Sequence, residues 1–208
     1  METIMKLDKS DWPEMLRELD REMAEIQYGY VDADGKKHSK IGQEYAKKYR
    51  LQSPESLSES HLGVCWDQVE LEREFLLKRL RNANRADGLG STNNPKTIAI
   101  VYYGEESCPT HTFMLVEIEG KVYWYEHAWE KYRGVYQFSS FINAFLYVVD
   151  CWVKYMDYIK DGWDLDQLKE YEYTAAKAGL KVDEFFKHIE ANGTIESKLQ
   201  KLGLSTKK

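Results

Sequence analysis

The sequence predicts an α+β fold, and three stretches carry that prediction. Residues 66–80 repeat apolar side chains at helical spacing, with Trp66, Val69, Leu76 and Leu80 on one stripe and Glu70, Glu72, Arg73 and Lys78 on other faces. From Thr97 the pattern changes to strands, and Glu119-Gly120 separates residues 110–118 from 121–129 as a hairpin turn would. Ser139 or Ser140 then caps a long helix to about Ile159, whose apolar residues, among them Phe141, Phe145, Val148, Trp152 and Met156, wrap most of its circumference. A helix packed on an antiparallel sheet, with helical elements at both ends, is the expected architecture.

Composition narrows the class. The chain has 208 residues, 43% of them hydrophobic, with six Trp and fifteen Tyr, which is enough to build a core and too apolar for disorder. A net charge of -6 and the lack of a Lys/Arg cluster argue against nucleic acid or an anionic membrane as partner. The first eight residues lack the apolar run of a signal peptide, and no uncharged run approaches the roughly 20 residues that span a bilayer. Cys65, Cys108 and Cys151 are an odd number at wide spacing, which makes neither a disulfide framework nor a zinc site. These features predict a reduced, cytoplasmic protein.

Taken in order, residues 10–27 predict a helix capped by Ser10 or Asp11, with Pro13 in its first turn and a stripe of Trp12, Met15, Leu16, Leu19, Met23 and Ile26. Residues 28–31 read as a short strand and Asp34-Gly35-Lys36 as a tight turn; Asp32 and Asp34 lack the later ligands of a calcium loop. A second helix is expected over about 41–50, and the polar run 52–60 reads as a helix-breaking linker. Residues 82–96 read as a surface loop, and 134–138 as a last strand. Residues 161–208 are expected to form a helical extension of two or three helices, while residues 1–160 hold the principal domain. Residues 175–185 have a faint helix-turn-helix pattern, but eight basic and eight acidic residues balance over 164–208, so DNA reading gains no electrostatic support.

The chemistry-bearing stretch is Gly63-Val64-Cys65-Trp66-Asp67. It puts Cys65 in the first turn of a helix, where unpaired N–H groups and the positive end of the dipole stabilise a thiolate. The alternative is a buried structural thiol. A nucleophile needs a base and an orienting group, and the hairpin offers both. If Glu119-Gly120 is a two-residue turn, His111 faces Ala128 and Glu126 faces Phe113, which makes His111 and Glu126 diagonal neighbours on one face. A turn one residue longer would present His127 instead. A metal site of His111, Glu126 and His127 is disfavoured, because adjacent strand residues point to opposite faces. Candidate donors for an oxyanion, beside the Cys65 backbone N–H, are His61, Trp66 and Gln43. Asp67 is expected to stabilise the first helical turn. Cys108, three residues before His111, could form a redox-sensitive disulfide with Cys65, although a small residue in a turn explains it as well.

This constellation resembles the transglutaminase-like superfamily, a papain-like fold in which a Cys-His-Asp triad performs acyl transfer. The Gly-x-Cys-x-Asp signature at a helix start is similar to the uncharacterised bacterial branch, whose members act more as peptidases than as cross-linkers. The likeness covers about residues 60–138. It implies a papain-like core with the nucleophile helix on the sheet, Cys65 as nucleophile, His111 as base and Glu126 as third member, where the family usually has Asp. It also implies a peptide or protein amide substrate and no cofactor or metal. The alternative is a protein- or peptide-binding module that keeps the fold without turnover.

Overall fold

The computed structural model describes residues 5–87, 95–104, 109–159 and 161–195. The chain begins with β1 (Met5–Lys6), a 3-10 turn at Lys9–Asp11, and α1 (Glu14–Met23). Next come the short strands β2 (Gln27–Tyr28), β3 (Tyr30–Val31) and β4 (Lys37–His38), and then α2 (Tyr45–Lys48) and α3 (Pro54–Ser60). β5 (Leu62–Gly63) leads directly into α4 (Cys65–Asp87). The second half holds β6 (Lys96–Tyr102), β7 (Thr110–Ile118), β8 (Lys121–Glu126), β9 (Gly134–Phe138), α5 (Phe141–Ile159), β10 (Leu168–Tyr173) and α6 (Val182–Glu190).

Six strands form one sheet in the order β1-β9-β8-β7-β6-β10, with every pairing antiparallel. The fold is therefore α+β with the helices laid on an antiparallel sheet, as the sequence predicts. Both faces are covered. α5 packs Ala144, Val148, Trp152 and Met156 onto Ile98, Ile100, Phe113, Leu115 and Trp124. On the opposite face α1 and α4 bring Leu16, Leu19, Met23, Leu71 and Leu76 against Met114, Val116, Tyr123 and Tyr125. A strand apolar on both faces loses its alternation, which is why 98–103 reads as one continuous apolar run. No described helix is long and apolar enough to cross a membrane.

Four expectations are corrected. Residues 54–60 are helical rather than a linker: Ser53 accepts from the Ser56 N–H at 3.2 Å as N-cap, and Pro54 sits where its missing N–H costs nothing. Over 161–195 the chain supplies a strand as well as a helix, because β10 pairs with β6 from Leu168↔Tyr102 to Tyr173↔Thr97. Only Tyr45–Lys48 is helical within 41–50. The loop expected over 82–96 is helical as far as Asp87, and its centre lies outside the described residues.

The hairpin decides the site. Glu119 and Gly120 both have positive φ, 52° and 74°, the geometry of a two-residue turn whose twist matches the strands. Ile118 therefore pairs with Lys121 and Met114 with Tyr125. β7 stays paired with β6 down to Thr110, but its pairing with β8 ends at Met114↔Tyr125. The sheet thus opens between β7 and β8 at the end where His111 and Glu126 stand.

Candidate functional site

The first turn of α4 is fixed from several sides. Asp67, fully buried, accepts from the Val64 N–H at 2.9 Å, the Gln52 N–H at 2.8 Å and the Tyr49 hydroxyl at 2.8 Å. The carboxylate thus caps the helix from its third position, as expected of it. Burial drives the Asp67 pKa up, its three donors pull it down, and it comes to rest at about 6. Gln68 donates to the Gly63 carbonyl at 2.8 Å and accepts from His127 Nδ1 at 2.9 Å, tying the helix start to the end of β8. Gly63 is required here: a Cβ would sit 2.6 Å from Leu57 Cδ1 and 3.0 Å from Asp67 Cβ.

Cys65, a free and buried thiol, follows directly. The structure brings it together with His111 and Glu126. His111 Nε2 lies 2.9 Å from Glu126 Oε2, and both residues are buried, at 4% and 3% exposure. The other Glu126 oxygen accepts from the Trp129 N–H at 2.7 Å, so the carboxylate cannot swing away. With Nε2 engaged by Glu126, Nδ1 is the ring nitrogen left free, and His111 and Cys65 line the same cavity. Burial alone would lower the His111 pKa; the Glu126 charge, the Cys65 and Glu126 hydrogen bonds and the Cys65 charge overcome it and push the imidazole up to about 10. His111 also stacks on Phe113 and Trp152 at centroid distances of 6.2 and 6.0 Å, which fixes the ring plane.

His127 stands apart. It is on the α4 face, bonded to Gln68, and burial followed by the nearby Arg133 charge lowers it to about 4, so it is neutral over the physiological range. Of the candidate oxyanion donors, His61 ends α3 in a left-handed conformation beside Glu25 at 3.3 Å and lines a pocket that Cys65 does not. Trp66 is a core residue stacked on Phe185 at 4.1 Å, and Gln43 lines a groove wall. Cys108 lies outside the described residues. Among the described residues no group of three or more His, Cys, Asp or Glu could hold a metal ion. Asp32 closes its own turn, accepting from the Asp34 and Lys36 N–H groups and from His38.

Two cavities meet at Cys65. One, of about 250 Å³, contains His111, Ala128, Trp129, Trp152 and Tyr155; the other, of about 770 Å³, runs between residues 41–46 and α6. Tyr28 lines both. β2 pairs in parallel with β5, Tyr28 opposite Gly63, which carries this tyrosine to the start of α4. Tyr28 is 45% exposed, and burial first, then the Cys65 charge, raise its pKa. Sequence reading misses Tyr28, because the pairing that places it is non-local. It sets Glu70, Glu72 and Arg73 on faces other than the apolar stripe, and all three are buried. Glu70 and Arg73 form an ion pair inside, and burial followed by the Glu126 charge raises the Glu72 carboxyl well above its ordinary value.

The chain matches no family model, no curated protein and no solved structure. Its chemistry is therefore read from the geometry of the site.

Proposed function

We propose that this chain is a cysteine-dependent acyl-transfer enzyme acting on amide bonds, a peptidase or amidase before a cross-linker, as its resemblance to the transglutaminase-like superfamily implies. One observation carries the reading: a buried His111–Glu126 pair at 2.9 Å that shares a cavity wall with a thiol at a helix N-terminus. A buried carboxylate bonded to a buried imidazole is costly unless the ion pair is used or fully satisfied.

In the proposed cycle, Glu126 fixes the tautomer and supports the imidazolium, and the helix start supports the thiolate. The Cys65 sulfur attacks the amide carbonyl, and the C–N bond breaks as His111 gives its proton to the departing nitrogen. A thioester remains on Cys65. His111 then takes a proton from water, the hydroxide adds to the thioester, and the C–S bond breaks to give the carboxylic acid and the free thiolate. The oxyanion of each tetrahedral state is held by the Cys65 backbone N–H, unpartnered within the helix, and by the Tyr28 hydroxyl.

The test is intact-protein mass spectrometry after a pulse of p-nitrophenyl acetate. The reading expects one acetyl group on Cys65, gone in Cys65→Ser and in His111→Ala. Acetylation that is absent, or equal in His111→Ala, would leave a binding module without turnover as the better description.

A further inference from the structure

Resting on the acyl-transfer reading, we infer the substrate class: an amide whose acyl part is large and apolar and whose amine part is small and uncharged. The inference comes from the two cavities and from the side on which the proton is delivered. His111 lies on the wall of the cavity of about 250 Å³ and not of the one of about 770 Å³. The departing nitrogen must come within hydrogen-bond reach of this imidazole to be protonated. The amine part therefore occupies the smaller cavity, against Trp129, Trp152 and Tyr155. The acyl carbon is bonded to Cys65, so its substituent extends into the larger groove, between Ile41 and Tyr45 on one side and Val182 and Phe186 of α6 on the other.

Size and charge complete the argument. A space of about 250 Å³ equals roughly eight water volumes, the size of a small amine. The larger groove, about 770 Å³, has the capacity of an ordinary small-molecule site. Among the described residues no Asp, Glu, Lys or Arg lines either cavity; the polar side-chain groups there are tyrosine hydroxyls, tryptophan indoles, Thr110, Gln43, Cys65 and His111. A charged acyl group would lose its water without gaining a partner. A cationic amine would likewise find no carboxylate on the wall of the smaller cavity.

The experiment measures kcat/KM, by chromatographic detection of the released acid, for N-methylamides of decanoic, 3-phenylpropanoic, succinic and 6-aminohexanoic acids. Decanoyl and phenylpropanoyl amides should exceed the two charged ones by about 30-fold or more. Replacing methylamine by agmatine should lower turnover of the decanoyl amide about tenfold. Ile41, 46% exposed, tolerates a charge, and Ile41→Lys should move the succinyl-to-decanoyl ratio about tenfold toward succinyl. Thermal unfolding of the variant checks that it is folded. Charged acyl groups turned over as well as apolar ones, or a ratio unmoved by Ile41→Lys, would overturn the substrate assignment while leaving the acyl-transfer reading intact. Turnover of no amide, with no acyl group trapped on Cys65, overturns both.

Discussion

Replacing Glu126 by Gln removes one charge and keeps the shape. Its Oε1 holds the Trp129 N–H at 2.7 Å, so the amide oxygen is retained there and the NH₂ group is turned to His111 Nε2. That nitrogen must then accept rather than donate, which moves the imidazole proton to Nδ1. The ring can no longer take a proton from the thiol. In the native protein the Glu126 charge opposes burial and, with Cys65, carries His111 to about 10; without it burial dominates and the ring falls below its ordinary 6.5. That difference corresponds to roughly 5 kcal/mol of interaction lost from the charged form. Histidine-labelled protein followed by NMR reads the effect directly, since His111 and four other histidines can be assigned by substitution. The native His111 should remain an imidazolium through pH 8, and the Glu126→Gln ring should be neutral from pH 6.5 upward with its proton on Nδ1. A native His111 that titrates near 6.5, or a variant ring still charged at pH 8, would refute the reasoning.

Three further outcomes follow from the same geometry. Tyr28→Phe should slow acylation of Cys65 by p-nitrophenyl acetate about 10²-fold, with alkylation by iodoacetamide unchanged, because only the ester passes through an oxyanion; equal slowing of both reactions would assign Tyr28 to thiol geometry instead. Asp67 lies at about 6 when folded against 3.8, so its contribution to stability is full below about 3.8, declines as pH rises, and is gone above about 6. Urea unfolding at pH 4 and pH 7 should show Asp67→Asn lacking a decline of roughly 2 kcal/mol that the native protein has from this group. Arg73→Met leaves Glu70 buried without its ion pair and should cost about 3–5 kcal/mol, most of it recovered when Glu70→Gln is added; a single variant as stable as the native chain would contradict the pairing.

Much of this site is legible because it is local. The two-residue turn at Glu119-Gly120 fixes hairpin register by itself, and register alone makes His111 and Glu126 diagonal partners. The Asp67 cap is likewise a three-residue relation between Val64 and Asp67. Periodicity serves less well where the surroundings are apolar on every side. From Cys65 to Arg73 every residue of α4 is buried, so Glu70, Glu72 and Arg73 stand off the apolar stripe although the chain encloses them. What closes over them is distant in sequence: Ala176 donates to Glu70 at 3.1 Å, and Phe185 stacks on Trp66. β10 escapes notice for a related reason. Leu168 faces the α5 core while Tyr171 and Tyr173 face the opposite core, so no single apolar alternation marks the strand. Tyr28 reaches Cys65 only through a two-residue parallel pairing that no local pattern encodes. The helix of 54–60, by contrast, was readable: Ser53-Pro54 is an N-cap followed by a first-turn proline.

The central claim is that Cys65 and His111 share a proton as a thiolate–imidazolium pair. The most direct test is the pH dependence of Cys65 alkylation by iodoacetamide in the native protein and in His111→Ala, with mass spectrometry separating Cys65 from Cys108 and Cys151. Rapid modification that persists at pH 6 and is lost in His111→Ala is the predicted result. Slow modification that rises alike with pH in both proteins would contradict it.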